Sequence, residues 1–140
     1  MFRANKLMEW KKGDGIFYAF YRLDISKNQV SSIHPFGFVP YPTLKELDIS
    51  KNNLSVVHGY SFKGLQSLIR LELSRNPLNT IHFHGFEGLY NLTVLSLHGS
   101  CISRLEPPTF NKMKKLSTLD LSCSCIRAVT FETFKELHGL

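Results

Sequence analysis

Cysteine is scarce in this chain and late. It occurs only at Cys101, Cys123 and Cys125. These three form no C-x-x-C metal pair and no even-numbered disulfide framework, and an odd count leaves at least one thiol free or bonded outside the chain. They do not fix the redox compartment. Long apolar runs are missing too: none approaches the roughly 20 residues of a membrane-spanning helix, so membrane attachment is expected only through regions outside this chain. Long runs of one charge are also missing. Lysine and arginine number 17 against 11 acids, a net charge of +6. The densest groups are only Lys11–Lys12 and Lys112, Lys114 and Lys115. Charge spread this thinly reads as a solvated face, and no nucleic-acid partner is expected. There is no Gly-rich phosphate loop and no Ser/His/Asp or Cys/His group at a recognisable spacing. No enzyme activity, cofactor or metal site is expected.

What the chain does have is a period. Residues 68–91 place apolar side chains at Leu68, Leu71, Leu73, Leu78, Ile81, Phe86 and Leu89, with Asn76 among them. Sliding this frame in steps of 24 gives seven apolar columns over five repeats, and all 35 positions are apolar. Examples are Leu23/Leu47/Leu71/Leu95/Leu119 and Phe38/Phe62/Phe86/Phe110/Phe134. In a chain that is 43% hydrophobic, chance does not fill every slot.

Each column predicts a place in a structure. The L-x-L spacing is strand periodicity, with strands expected at about 46–50, 70–74 and 94–98. Stacked repeats set these strands side by side as a parallel sheet, at about 4.8 Å per rung. One repeat cannot bury its own leucines, so its neighbours must. The Asn28, Asn52 and Asn76 amides can bond turn groups that lack ladder partners. Ser100 and Ser124 take over that column, and a looser turn is expected there. The phenylalanine column should stack as a spine along the back.

Residues 1–19 stand outside the frame, with neither a signal-peptide pattern nor cap cysteines, and are expected to be poorly ordered. The repeats are 20–43, 44–67, 68–91, 92–115 and 116–139. Pro35, Pro40 and Pro42 predict an extended back to the first of them. Pro107–Pro108 predicts a short helical turn in the fourth. Leu140 occupies the first position of a sixth, as expected for a segment of a longer solenoid.

The spacing L-x-x-L-x-L-x-x-N-x-L resembles the leucine-rich repeat. The 24-residue form with phenylalanine at the nineteenth place is similar to the typical subclass of receptor and adhesion ectodomains. The resemblance covers residues 20–140. It implies an α/β solenoid, a horseshoe segment with a concave parallel sheet and a mostly irregular or short-helical convex side. It further implies protein-ligand recognition through the concave face, at the cell surface or outside the cell. The alternative is an intracellular adaptor or enzyme-inhibitor scaffold.

Candidate binding residues are the outward strand positions: Arg22, Glu46, Arg70, Val94 and Thr118 in one column, Asp24, Asp48, Glu72, Ser96 and Asp120 in another, and His98 beside them. Opposite-charge columns also serve simply to keep a sheet soluble. Two sequons, at Asn53 and Asn91, are candidate N-glycosylation sites. Cys101 and Cys125 share a column; rung spacing puts them within disulfide range, although parallel side chains hold their Cβ atoms apart. His34, His58 and His82 form a further column. It is a candidate acid-sensitive row, since protonated imidazoles one rung apart repel, or a metal row, although ligands in a straight line suit a tetrahedral ion badly, or else it is wet surface filler.

Overall fold

The computed structural model describes residues 7–12 and 15–140. Two antiparallel strands come first, β1 (Leu7–Lys12) and β2 (Gly15–Phe20), paired from Leu7↔Phe20 to Lys12↔Gly15. The stretch lies outside the repeat period, and these two strands pair with each other. Residues 1–6, 13 and 14 of that segment lie outside the described residues.

The repeats then follow in register. Strands β3 (Arg22–Asp24) and β4 (Glu46–Asp48) are succeeded by a two-residue back strand, β5 (Val56–Val57). Next come β6 (Arg70–Glu72), a second back strand β7 (Thr80–Ile81), β8 (Val94–Ser96) and β9 (Thr118–Asp120). The main sheet is five-stranded and parallel, in the order β3-β4-β6-β8-β9. Leu23, Leu47, Leu71, Leu95 and Leu119 stand opposite one another along it. The repeat spacing read from the sequence is therefore the strand register. β5 and β7 make a small second parallel pair on the back.

The strands are two residues shorter than expected, and an acid two residues upstream explains where they stop. Asp48 Oδ1 accepts the Ser50 N–H at 2.9 Å, and Lys51 then turns the chain at φ 55°. The ladder outlasts the strand: Ile49 N–H bonds Glu72 O at 2.8 Å, and Lys51 N–H bonds Ser74 O at 2.9 Å. Leu47, Ile49, Leu71, Leu73, Leu95 and Leu97 are all buried, none more than 1% exposed.

The asparagines behave as their position predicts. Asn76 Nδ2 donates to Ile49 O and Leu73 O at 3.0 and 2.9 Å, and its Oδ1 accepts Leu54 N–H at 3.0 Å. Asn52 repeats this one rung earlier with Ile25 O, Ile49 O and Val30 N–H. Ser100 is 3% exposed, and its hydroxyl has no partner among the described residues.

On the back, the phenylalanine column forms the expected spine. Ring centroids from Phe38 through Phe134 are 6.1, 5.9, 6.1 and 6.0 Å apart, and no neighbouring planes diverge by more than 21°. Pro107–Phe110 forms a 3-10 turn, as the prolines predict, and Phe131–Phe134 a single turn of α-helix, α1.

The first repeat's back is not extended. It turns through Gly37 N–H to His34 O, Val39 N–H to Phe36 O and Tyr41 N–H to Phe38 O. Its prolines fit because they replace donors the other repeats leave out of the backbone ladder. The equivalents of Pro35, Pro40 and Pro42 in the second repeat, Gly59, Gly64 and Gln66, donate no such bond, whereas Ser61, Lys63 and Leu65 do. Gly64 takes φ +106° with the neighbouring loop against it: a Cβ there would lie 2.5 Å from Val39 Cα.

Candidate protein-binding face

The outward positions of β3, β4, β6, β8 and β9 make one continuous face. Its first three repeats are charged and its last two much less so. Arg22 Nη1 lies 3.3 Å from Glu46 Oε2 across two strands, and Arg70 Nη2 lies 3.3 Å from Glu72 Oε2 along one strand. Leu47 and Asp48 complete a shallow depression with these four side chains. Val94 and Thr118 continue the first column without charge, and Ser96 is buried in the second.

The acids are partly committed to the backbone. Asp24, Asp48 and Asp120 each accept the N–H two residues on at 2.9 Å, and Glu72 does so at 3.4 Å. The sequence offered this column as binding surface or as charge that keeps the sheet soluble. The structure gives it a second task, ending each strand, and the D-x-S spacing was the signal for it.

His98 enters a short relay in the last two repeats. Its Nδ1 lies 2.8 Å from Ser122 Oγ, and that hydroxyl donates to Asp120 Oδ1 at 2.5 Å. The serine proton points at the carboxylate, so the hydroxyl oxygen is left to accept from Nδ1. The polarity is opposite to that of a nucleophilic serine, whose proton must point at the histidine. Hydrogen bonds from the Ser122 hydroxyl and N–H hold the Asp120 carboxyl below its ordinary 3.8. A lowered folded value means the fold favours the carboxylate. Its contribution is therefore full above 3.8 and is lost as pH falls through the folded value. Wild type should lose melting temperature faster than Asp120→Asn on acidification below that point, by a small margin because the group is exposed; parallel curves would remove the relay.

The remaining candidates lie elsewhere. Cys101, Cys123 and Cys125 are all exposed and free, so the candidate Cys101–Cys125 bridge is not made. Parallel rungs keep Cβ atoms near the 4.8 Å rung distance, whereas a disulfide needs about 3.8 Å. His58 and His82 stack at 5.5 Å on the back edge, and His34 occupies the equivalent exposed position. Beside them runs a ladder the sequence reading missed: Phe36–Tyr60 at 5.5 Å and Tyr60–His84 at 5.0 Å. Its members share the 24-residue period but not a residue type, which hid it. Glu87 lies 3.8 Å from His84 Nδ1 and accepts the Tyr90 hydroxyl at 2.5 Å, a bond that raises the Tyr90 pKa above 10.0.

The two sequons differ. Asn53 is exposed. Asn91 is also exposed, but its amide is engaged on both sides: Nδ2 donates to Gln66 O at 2.8 Å, and Oδ1 accepts Lys115 Nζ at 2.6 Å.

The sequence model of the leucine rich repeat matches residues 42–100 and 90–140. The chain belongs to the leucine-rich-repeat family. Among solved structures, this leucine-rich-repeat chain is similar to that of the TLR13–ssRNA13 complex, with a TM-score of 0.76 and 29% identity over 80% of this chain and 16% of that one. It is also similar to an internalin, inlF, of Listeria monocytogenes str. 4b F2365, with a TM-score of 0.68 and 21% identity over 86% of this chain and 33% of that one. At that identity the internalin likeness speaks to the fold alone. The chain thus spans a sixth to a third of the length of these relatives. No curated protein sequence matches it significantly.

Proposed function

We propose that this chain is a non-enzymatic, protein-binding segment of a cell-surface or secreted leucine-rich-repeat receptor or adhesion protein. The observation that carries this reading is the concave face. It is a rigid five-strand sheet, held rung to rung by buried asparagine amides, that presents a column varying from Arg22 through Glu46 and Arg70 to Val94 and Thr118. Fixed framework with variable outward chemistry is what specific recognition of another protein requires. The TLR13 structure was solved with single-stranded RNA. Here the outward strand column carries paired arginines and acids and no aromatic ring to stack a base, which favours a protein. The three exposed thiols are the observation on the side of an intracellular adaptor.

Two measurements test the reading. A photo-cross-linking side chain in place of His98 should capture a partner on intact cells of the source organism, and one in place of Lys112 should not; equal capture from both would sink concave-face recognition. Secreted behind a leader peptide, the chain should carry a glycan that Asn53→Gln removes, with Asn91→Gln changing the mobility less, since the Asn91 amide is already bonded. A chain with no glycan and three reduced thiols would move the protein inside the cell.

A further inference from the structure

Lys27, Lys51 and Arg75 stand along one edge of the concave sheet, and all three are exposed. Their backbone N–H groups bond the next repeat at Ser50 O, Ser74 O and His98 O, at 3.0, 2.9 and 2.7 Å, so the three occupy successive rungs. None has a counterion among the described residues, although Arg22 and Arg70, on the same face, each have one. Each also sits in the left-handed region, at φ 55°, 55° and 56°. That conformation costs a side-chain-bearing residue free energy and costs glycine none. The fourth repeat makes the same turn with Gly99 at φ 67°. The fifth makes it with Cys123 at φ 54°, so the turn itself needs no cation, yet three repeats running keep one. Strain held where the fold does not require it points to use.

We propose that this row is a docking edge for an extended acidic peptide segment of a protein partner, an inference that rests on the protein-binding reading above. Width selects the occupant. Asp24, Asp48 and Glu72 lie three residues before the cations on the same repeats. A polyanion broader than one chain would meet their charge. An extended peptide lying along the edge presents carboxylates to one side every 6.6 Å or so. Flexible lysine and arginine side chains rising from rungs about 4.8 Å apart can meet that spacing. No aromatic residue stands at the flanking positions Ser26, Ser50, Ser74, Gln29, Asn53 or Pro77, so single-stranded nucleic acid would gain phosphate contacts without stacking.

The test uses the full chain and a fluorescein-labelled hexaglutamate peptide, read by anisotropy at about 20 mM and about 150 mM salt. Binding at low salt should weaken at the higher salt. The triple variant Lys27→Gly, Lys51→Gly, Arg75→Gly should bind about tenfold more weakly still, with a melting temperature equal to or above wild type because the turns are relaxed. If glycine costs the fold, the triple glutamine variant of the same residues takes the same readout. The triple variant Lys112→Gln, Lys114→Gln, Lys135→Gln removes equal charge elsewhere and should bind as wild type does. The proposal is overturned if the peptide fails to bind at low salt, if the edge variant binds like wild type, or if the distant variant loses as much. Tighter binding of an oligouridylate than of the peptide overturns it too. Failure of the peptide with capture at position 98 retained removes the edge alone; peptide binding with no capture there removes the concave-face reading instead.

Discussion

Leu71→Ala is expected to cost about 2–5 kcal/mol, the largest loss of any single aliphatic truncation on the sheet. Leu71 is fully buried and sits in the third of five rungs, with Leu47 and Leu95 opposite it on either side. Removing its isobutyl group deletes contacts in both directions, and the neighbouring rungs cannot close the gap. Ladder hydrogen bonds between neighbouring strands hold the rungs at their spacing, so the cavity persists. Ile69→Ala is the control: it removes an aliphatic side chain two residues away that is 40% exposed, and it should cost less than about 1 kcal/mol. Urea denaturation reads both. A midpoint that falls at constant slope reports stability, whereas a changed slope would show that the repeats on either side have uncoupled. A loss for Leu71→Ala no greater than for Ile69→Ala would mean the column does not face a close-packed interior.

The same column shows why most of the fold was legible. Every inward position recurs at a fixed period with one kind of side chain, so register, core and phenylalanine spine can all be read without coordinates. What could not be read depends on which polar group takes which bond. Arg70 has acids within reach both across the sheet, at Glu46, and along its own strand, at Glu72, and it takes the second. Spacing does not choose between them, since both lie on one face at similar range. The prolines of the first repeat misled for a related reason. Proline argues against a turn only where an N–H is needed, and which N–H groups the turn uses appears only in the hydrogen bonds of its sister repeats. The candidate face was legible as a set of positions. The division between its charged and uncharged halves, and the acids' role in ending strands, came from geometry.

Asn76→Ala should approach the same scale through hydrogen bonding rather than packing, at about 2–4 kcal/mol. The side chain is 1% exposed and serves three backbone groups: Ile49 O, Leu73 O and Leu54 N–H. Two of these belong to the preceding repeat, so the amide joins one rung to the next. Alanine leaves Leu73 O and Leu54 N–H without that partner, while Ile49 O keeps its bond from Asn52 Nδ2, so the desolvation of two groups is then uncompensated. The fourth repeat already shows what a shorter side chain does. Ser100 lies in the same column, buried, with its hydroxyl unpartnered among the described residues, and it makes no bond to the Leu78 N–H that corresponds to Leu54 N–H. Ser100→Asn should therefore stabilise the protein by about 1 kcal/mol, because the neighbouring turns already show that this backbone accommodates the amide. Thermal and urea melts of both variants, with the exposed Asn53→Ala as a control on the equivalent turn of the second repeat, decide the matter. Asn76→Ala costing no more than Asn53→Ala would show that the amides do not hold the rungs together. A destabilising Ser100→Asn would show that the fourth turn has closed around serine, and that the loss of asparagine there is a repacked variant of the turn rather than a weakened copy of it.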